Sequence, residues 1–126
     1  MQISFCWLGN AGFELQLGNT ILLADPFLTR PKQSNVYCGR VAPDRLAIKA
    51  HIQACNHILV GHTHFDHFME VPEIARCTGA VVHGSANTCE LAQKLGVHEE
   101  QIHRINASDE FSIGDIQVKI IPAAYP

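Results

Sequence analysis

Hydrophobic and polar positions alternate from the start of the chain. Ile3, Phe5 and Trp7 fall on one side of residues 2–8, and Gln2, Ser4 and Cys6 on the other, the period of a half-buried strand. Gly9-Asn10-Ala11-Gly12 interrupts the pattern, and residues 13–17 then alternate again. Gly18-Asn19 supplies a two-residue turn, and Thr20 to Ala24 reads as a more apolar third strand. These features predict an antiparallel meander. Asp25-Pro26 ends it, since Asp before Pro favours chain reversal. Residues 29–42, with Pro31, Gly39 and no periodicity, predict a surface loop. Pro43-Asp44 can open a short helix through Ala54, with Leu46, Ala47 and Ala50 inward and Ile48 and Ile52 blurring the pattern.

The apolar run Ile58-Leu59-Val60 predicts a buried strand that stops at Gly61. A short helix from Pro72 to Cys77 ends at Gly79, and Ala80-Val81-Val82-His83 is a second buried strand. A helix from about Ala86 to Leu95 follows, with Leu91, Ala92 and Leu95 inward, a cap at Ser85 or Asn87, and Gly96 as its stop. Residues 97–105 read as a polar connector in which His98 and His103 face solvent. Residues 111–113 and 116–121 form a hairpin through Gly114-Asp115. Strands alternating with helices make the fold class α/β.

The chemistry concentrates in His62-Thr63-His64-Phe65-Asp66-His67, directly after the Ile58–Val60 strand. Residues i and i+2 of an extended chain point the same way. His62 and His64 are thus placed to share one cation if the backbone stays extended past Gly61. Asp66 and His67 come next, as the chain turns into a helix near Phe68-Met69-Glu70-Val71, where they could serve a second. Imidazole and carboxylate are the usual ligands of zinc and its neighbours. Two such ions can polarise a substrate oxygen and generate hydroxide near neutral pH. Of the remaining histidines, His51, His57, His98 and His103 read as surface or strand-entry residues, and His83, ending a strand that points toward the same region, as a hydrogen-bonded core residue or, alternatively, a metal or substrate contact.

Composition narrows the partners. The chain has 126 residues, 47% hydrophobic and 17% charged, with net charge −3 and nine Lys and Arg. That describes an ordinary folded domain without a basic face for nucleic acid. Five cysteines, odd in number and without C-x-x-C spacing, read as free thiols of a reducing compartment. No charged flank with an apolar core opens the chain and no apolar run approaches a membrane span, so the expected location is cytoplasmic.

The motif resembles the signature of the metallo-β-lactamase-fold hydrolases. The resemblance extends to Trp7-Leu8-Gly9-Asn10-Ala11-Gly12-Phe13, to Ile21–Leu28 with its Asp25-Pro26, to Gly84-Ser85-Ala86-Asn87, and to Phe111–Ile116. Together these are similar to the ascorbate-6-phosphate lactonase-like branch, over the front half of a typical family domain. The resemblance implies the first half of a four-layer αββα sandwich, residues 1–126 being its N-terminal ββα portion. The missing C-terminal half or a second subunit, here including a homo-oligomer, would complete it.

The implied activity is hydrolysis of a small-molecule ester, phosphoester or lactone by a metal-activated hydroxide at a dinuclear site. The alternative is a non-catalytic domain that keeps a partial metal site for binding. The resemblance implies His62, His64, Asp66 and His67 as metal ligands, with Asp66 also orienting the hydroxide or accepting its proton. It implies two divalent ions, zinc foremost, with manganese or iron also suited. Asp25 is either a turn former or, as in the resembling family, a residue beneath the metals that orients a ligand histidine. Asn10 stands where many relatives have histidine, with loop capping as its plain role. Tyr125 occupies the place of a further family ligand histidine.

Overall fold

A computed structural model describes residues 2–122. Tyr125, expected at the place of a ligand histidine, lies outside the described residues.

Three antiparallel strands open the fold: β1 (Ile3–Gly9), β2 (Gly12–Leu17) and β3 (Thr20–Ala24). Phe5 pairs with Leu15 and Leu15 with Leu22, so the alternation of the sequence becomes one continuous face. Three short parallel strands extend the sheet: β4 (His57–Leu59), β5 (Val81–Gly84) and β6 (Ile102–Arg104), in spatial order β1-β2-β3-β4-β5-β6. Parallel neighbours require crossovers. These are supplied by α1 (Gln33–Cys38) and α2 (Arg45–His51), then α3 (Phe65–Phe68) and α4 (Val71–Thr78), then α5 (Ala86–Lys94). The hairpin of β7 (Glu110–Ile113) and β8 (Ile116–Lys119) forms a separate two-stranded sheet.

The two faces of the six-stranded sheet are covered differently. Leu23, Ile58 and Val82 are in register and fully buried. They share one core with Ile48 and Ile52 around α2, Val71, Ile74 and Ala75 of α4, and Ala92 of α5. Val71, Ile74 and Ala75 sit at i, i+3 and i+4, the stripe a helix needs to cover a sheet, and Gly79 ends α4 at φ 77, a left-handed cap conformation that glycine adopts at no steric cost. On the opposite face run Leu22, His57, Leu59 and His83. The β7–β8 hairpin lies over it: Phe111 stacks on His83 at 5.3 Å, and Ile113 is 1% exposed. Helices, main sheet and the start of a second sheet thus form successive layers.

Several expectations are corrected. Residues 29–42 include the short helix α1, which buries none of its residues. In α2 the inward residue is Ile48, while Leu46 is 81% exposed and Ala50 is exposed. Asp44 sets that phase by capping the helix through Leu46 N and Ala47 N. Leu95 is 48% exposed. The connector 97–105 contains β6, a sheet strand whose own residues are only partly buried or exposed. The strand β1 is not half-buried: Ile3, Phe5 and Trp7 are 62%, 64% and 70% exposed, because the hairpin does not reach this edge.

Candidate metal centre

The site forms where the parallel strands end. Val60 N–H donates to His83 O at 3.0 Å, which keeps the chain in line with the sheet for one residue beyond β4. Gly61 then passes against β3. Its N–H donates to Asp25 Oδ1 at 2.7 Å, and a Cβ at residue 61 would lie 3.0 Å from Asp25 Oδ2. Only a residue without a side chain makes that approach freely. Asp25 itself adopts φ 42, a region few non-glycine residues enter.

Beyond Gly61 the chain turns rather than continuing extended. His64 has extended dihedrals and begins α3, its carbonyl accepting from His67 N and Phe68 N at 3.0 Å each. The turn brings together His62, Asp66 and His67, whose donor atoms all lie within 4.8 Å of one another. The rings of His62 and His67 are 3.8 Å apart by centroid, and His64 sits edge-on to His62 at 4.6 Å. His64 is therefore beside the cluster, while His62 is grouped with Asp66 and His67.

The donor set fits a divalent ion. Two imidazoles and one carboxylate are a common open ligand set for zinc or non-haem iron. The ring of His67 runs between two carboxylates. Its Nε2 is 3.6 Å from Asp66 Oδ2, too long for a hydrogen bond, and its Nδ1 is 3.2 Å from Asp25 Oδ2. His67 Nδ1 is buried without an aligned hydrogen-bond partner, so the contact with Asp25 is close but imperfectly directed. A carboxylate behind a ligand imidazole is the usual way proteins fix such a ring. A cleft of about 610 Å³ opens beside the centre at the strand ends, lined by Asp25, Gly61, Ser85, Asn106, Lys119 and Ile121 among others.

Glu70 belongs to this neighbourhood although the sequence reading assigned it only to a turn. It is fully buried, and its Oε1 accepts from Leu28 N at 2.8 Å and Thr29 N at 2.5 Å. A glutamate where a helix start favours Ser, Asp or Asn is the signal that could have found it. Asn10 adopts φ 48, and its carbonyl accepts from Trp7 Nε1 at 3.0 Å.

A second polar row lies apart from this cluster. His57 Nδ1 is 2.9 Å from His83 Nε2, and His83 Nδ1 is 2.7 Å from His103 Nδ1. His83 is 4% exposed. Its pKa is lowered from 6.5 to about 4, chiefly by burial, with His57 and His103 contributing. That of His57 is also lowered by burial.

The fold is similar to those of several solved structures. Among solved structures, Igni18, a metallo hydrolase from Ignicoccus hospitalis, superimposes with a TM-score of 0.64 at 20% identity, over 88% of this chain and 42% of that one. CmlA, a diiron β-hydroxylase from Streptomyces venezuelae, does so with a TM-score of 0.68 at 20% identity, over 95% of this chain and 23% of that one. In sequence the chain is similar to UPF0173 metal-dependent hydrolases. It is 35% identical to that of Pyrobaculum arsenaticum, over 94% of this chain and 49% of the relative. No family model matches. The chain spans about half the length of the curated relatives it matches.

Proposed function

We propose that the chain is the metal-holding N-terminal half of a hydrolase domain acting on an ester, phosphoester or lactone. The observation that carries this is the convergence of His62, Asp66 and His67 at the strand ends, beside a cleft that can admit a small molecule. His62, Asp66 and His67 would hold a divalent ion, zinc, manganese or iron. His64, edge-on to His62, would serve a second ion together with donors from a further half of the domain. A divalent ion so held acts as a Lewis acid and lowers the pKa of water toward neutrality. In this reading Asp25 would brace His67 from behind, and Asp66 would orient the hydroxide or accept its proton.

The exposed face of Ile3, Phe5 and Trp7, together with Ile121 at 81% exposure, supports a further sheet packing there in the whole domain. It continues the face that the β7–β8 hairpin covers in part. A contiguous apolar stripe of this kind is normally a buried interface. Two-sheet packing fills a layer about 10 Å thick with side chains of both inner faces.

The test is to load the chain with zinc, manganese or iron and assay chromogenic carboxylic esters, phosphodiesters and a lactone. The expected outcome is hydrolysis of at least one class that disappears with chelator and in Asp66→Ala. A chain that binds metal and turns over none of them would be a metal-holding binding domain.

A further inference from the structure

Glu70 is the side chain whose placement neither the metal motif nor the core explains. It is 0% exposed, although carboxylates are almost never fully buried unless paired. Among the described residues no Lys, Arg or His pairs with it. It stands at the start of α4 yet makes no side-chain bond to that helix. Its Oε1 instead takes both Leu28 N–H and Thr29 N–H, and its Oε2 is buried without a partner. Burying a carboxylate in this way costs several kcal/mol, whereas an apolar residue would fill the same volume without that cost.

What the contact secures is the loop that follows β3. That loop begins at Asp25, whose carboxylate touches Gly61 N and His67 Nδ1, and it reaches Glu70 at Leu28 and Thr29. His67, in α3, and Glu70, at the start of α4, are three residues apart. The loop is thus gripped twice by the α3–α4 segment: through Asp25 at His67, and through Glu70 just beyond it. Outer contacts hold the same loop: Thr29 Oγ1 accepts from Asp44 N, and Arg30 donates to Leu8 O. An Asp held at φ 42 needs such a frame, because the conformation is unfavourable by itself.

We infer that Glu70 is a positioning residue of the metal centre: by holding the Leu28 and Thr29 amides it fixes the loop that sets Asp25 against His67. This rests on the reading of His67 as a metal ligand. Two variants separate positioning from stability. In Glu70→Leu the volume stays and the acceptor goes. In Glu70→Gln one oxygen can still accept both N–H groups, while an amide NH₂ replaces the partnerless Oε2.

The experiment measures zinc affinity by chelator competition. It also records long-range ¹H–¹⁵N spectra of the His67 ring in metal-free protein, with melting curves as the check on folding. Groups that orient a ligand typically change metal affinity by about 10- to 100-fold when removed. Glu70→Leu is expected to weaken zinc binding by about tenfold, the low end of that range, and to shift the His67 ring signals. Glu70→Gln is expected to stay within about threefold of wild type even where it melts lower. A folded Glu70→Leu with wild-type affinity and unchanged His67 signals would overturn the inference. Should Glu70→Leu fail to fold, Glu70→Gln decides: retained affinity upholds the inference, and a tenfold loss in a folded variant overturns it. If wild type binds no zinc, the metal reading fails separately, and the metal-free His67 spectra still judge the role of Glu70.

Discussion

Acid should destabilise this protein through His83. The residue lies between the main sheet and the hairpin, stacked on Phe111, with both ring nitrogens against other imidazoles. Burial and two neighbouring histidines lower its pKa from 6.5 to about 4. The unfolded chain therefore binds a proton at His83 before the folded one does. Stability is unaffected above pH 6.5, falls as pH drops from 6.5 to about 4, and levels off below. At about 1.4 kcal/mol per pH unit, the whole loss is about 3 kcal/mol. The lowered pKa of His57 acts in the same direction.

The perturbation is His83→Leu, which removes the titrating ring and leaves its partners His57, partly exposed, and His103, exposed, with access to water. Urea unfolding followed by circular dichroism at pH 7.5, 5.5 and 4.5, with chelator present, gives the stability of both proteins. Wild type should lose up to about 3 kcal/mol more than His83→Leu across this range. The absolute stabilities are not the test, because the substitution also removes hydrogen bonds. Parallel curves for the two proteins would refute the reasoning.

Three further outcomes follow from packing and chemistry. Ile48→Ala should cost about 2–5 kcal/mol, and Leu46→Ala within about 0.5, by urea titration, since Ile48 is 4% and Leu46 81% exposed. Ser85→Ala should cost about 1 kcal/mol and lower the melting temperature by several degrees, because Ser85 caps α5 through Thr88 N. Cys55 should resist iodoacetamide at pH 8 while Cys6, Cys38 and Cys77 react, read by mass spectrometry of labelled peptides. Burial pushes the Cys55 thiol up to about 12 and shields its sulfur, whereas the other three are exposed; the thiolate is the form that is alkylated.

The parts of the fold that were legible in sequence are those with a long, unambiguous period. The alternation of residues 2–24 gave the meander, and the apolar runs at 58–60 and 80–83 gave two parallel strands. Alternation identifies which residues share a face, but not whether anything covers it, which is why Ile3, Phe5 and Trp7 were expected to be half-buried. Residues 102–104 are Ile-His-Arg, too short and polar to show a period, and they become a strand only because β5 offers them an edge. In α2 the phase was misjudged because Leu46 and Ile48 compete in so short a helix, and the Asp44 cap decides it.

The residue types of the candidate cluster stand together in sequence, but which of them converge does not show there, since it depends on the chain turning after Gly61 and starting α3 at Phe65. Glu70 escaped notice because its partners are backbone amides about forty residues away, and such contacts leave no trace in local sequence.

The central claim is that His62, Asp66 and His67 hold a divalent ion. The most direct measurement is zinc content per chain by elemental mass spectrometry, after incubation with excess zinc and gel filtration. Wild type, His62→Ala and Asp66→Ala would be compared at equal folding by circular dichroism. The account predicts at least one zinc retained by wild type and a clear loss in each variant. A folded wild type that emerges without metal, or variants that retain as much as wild type, would contradict it.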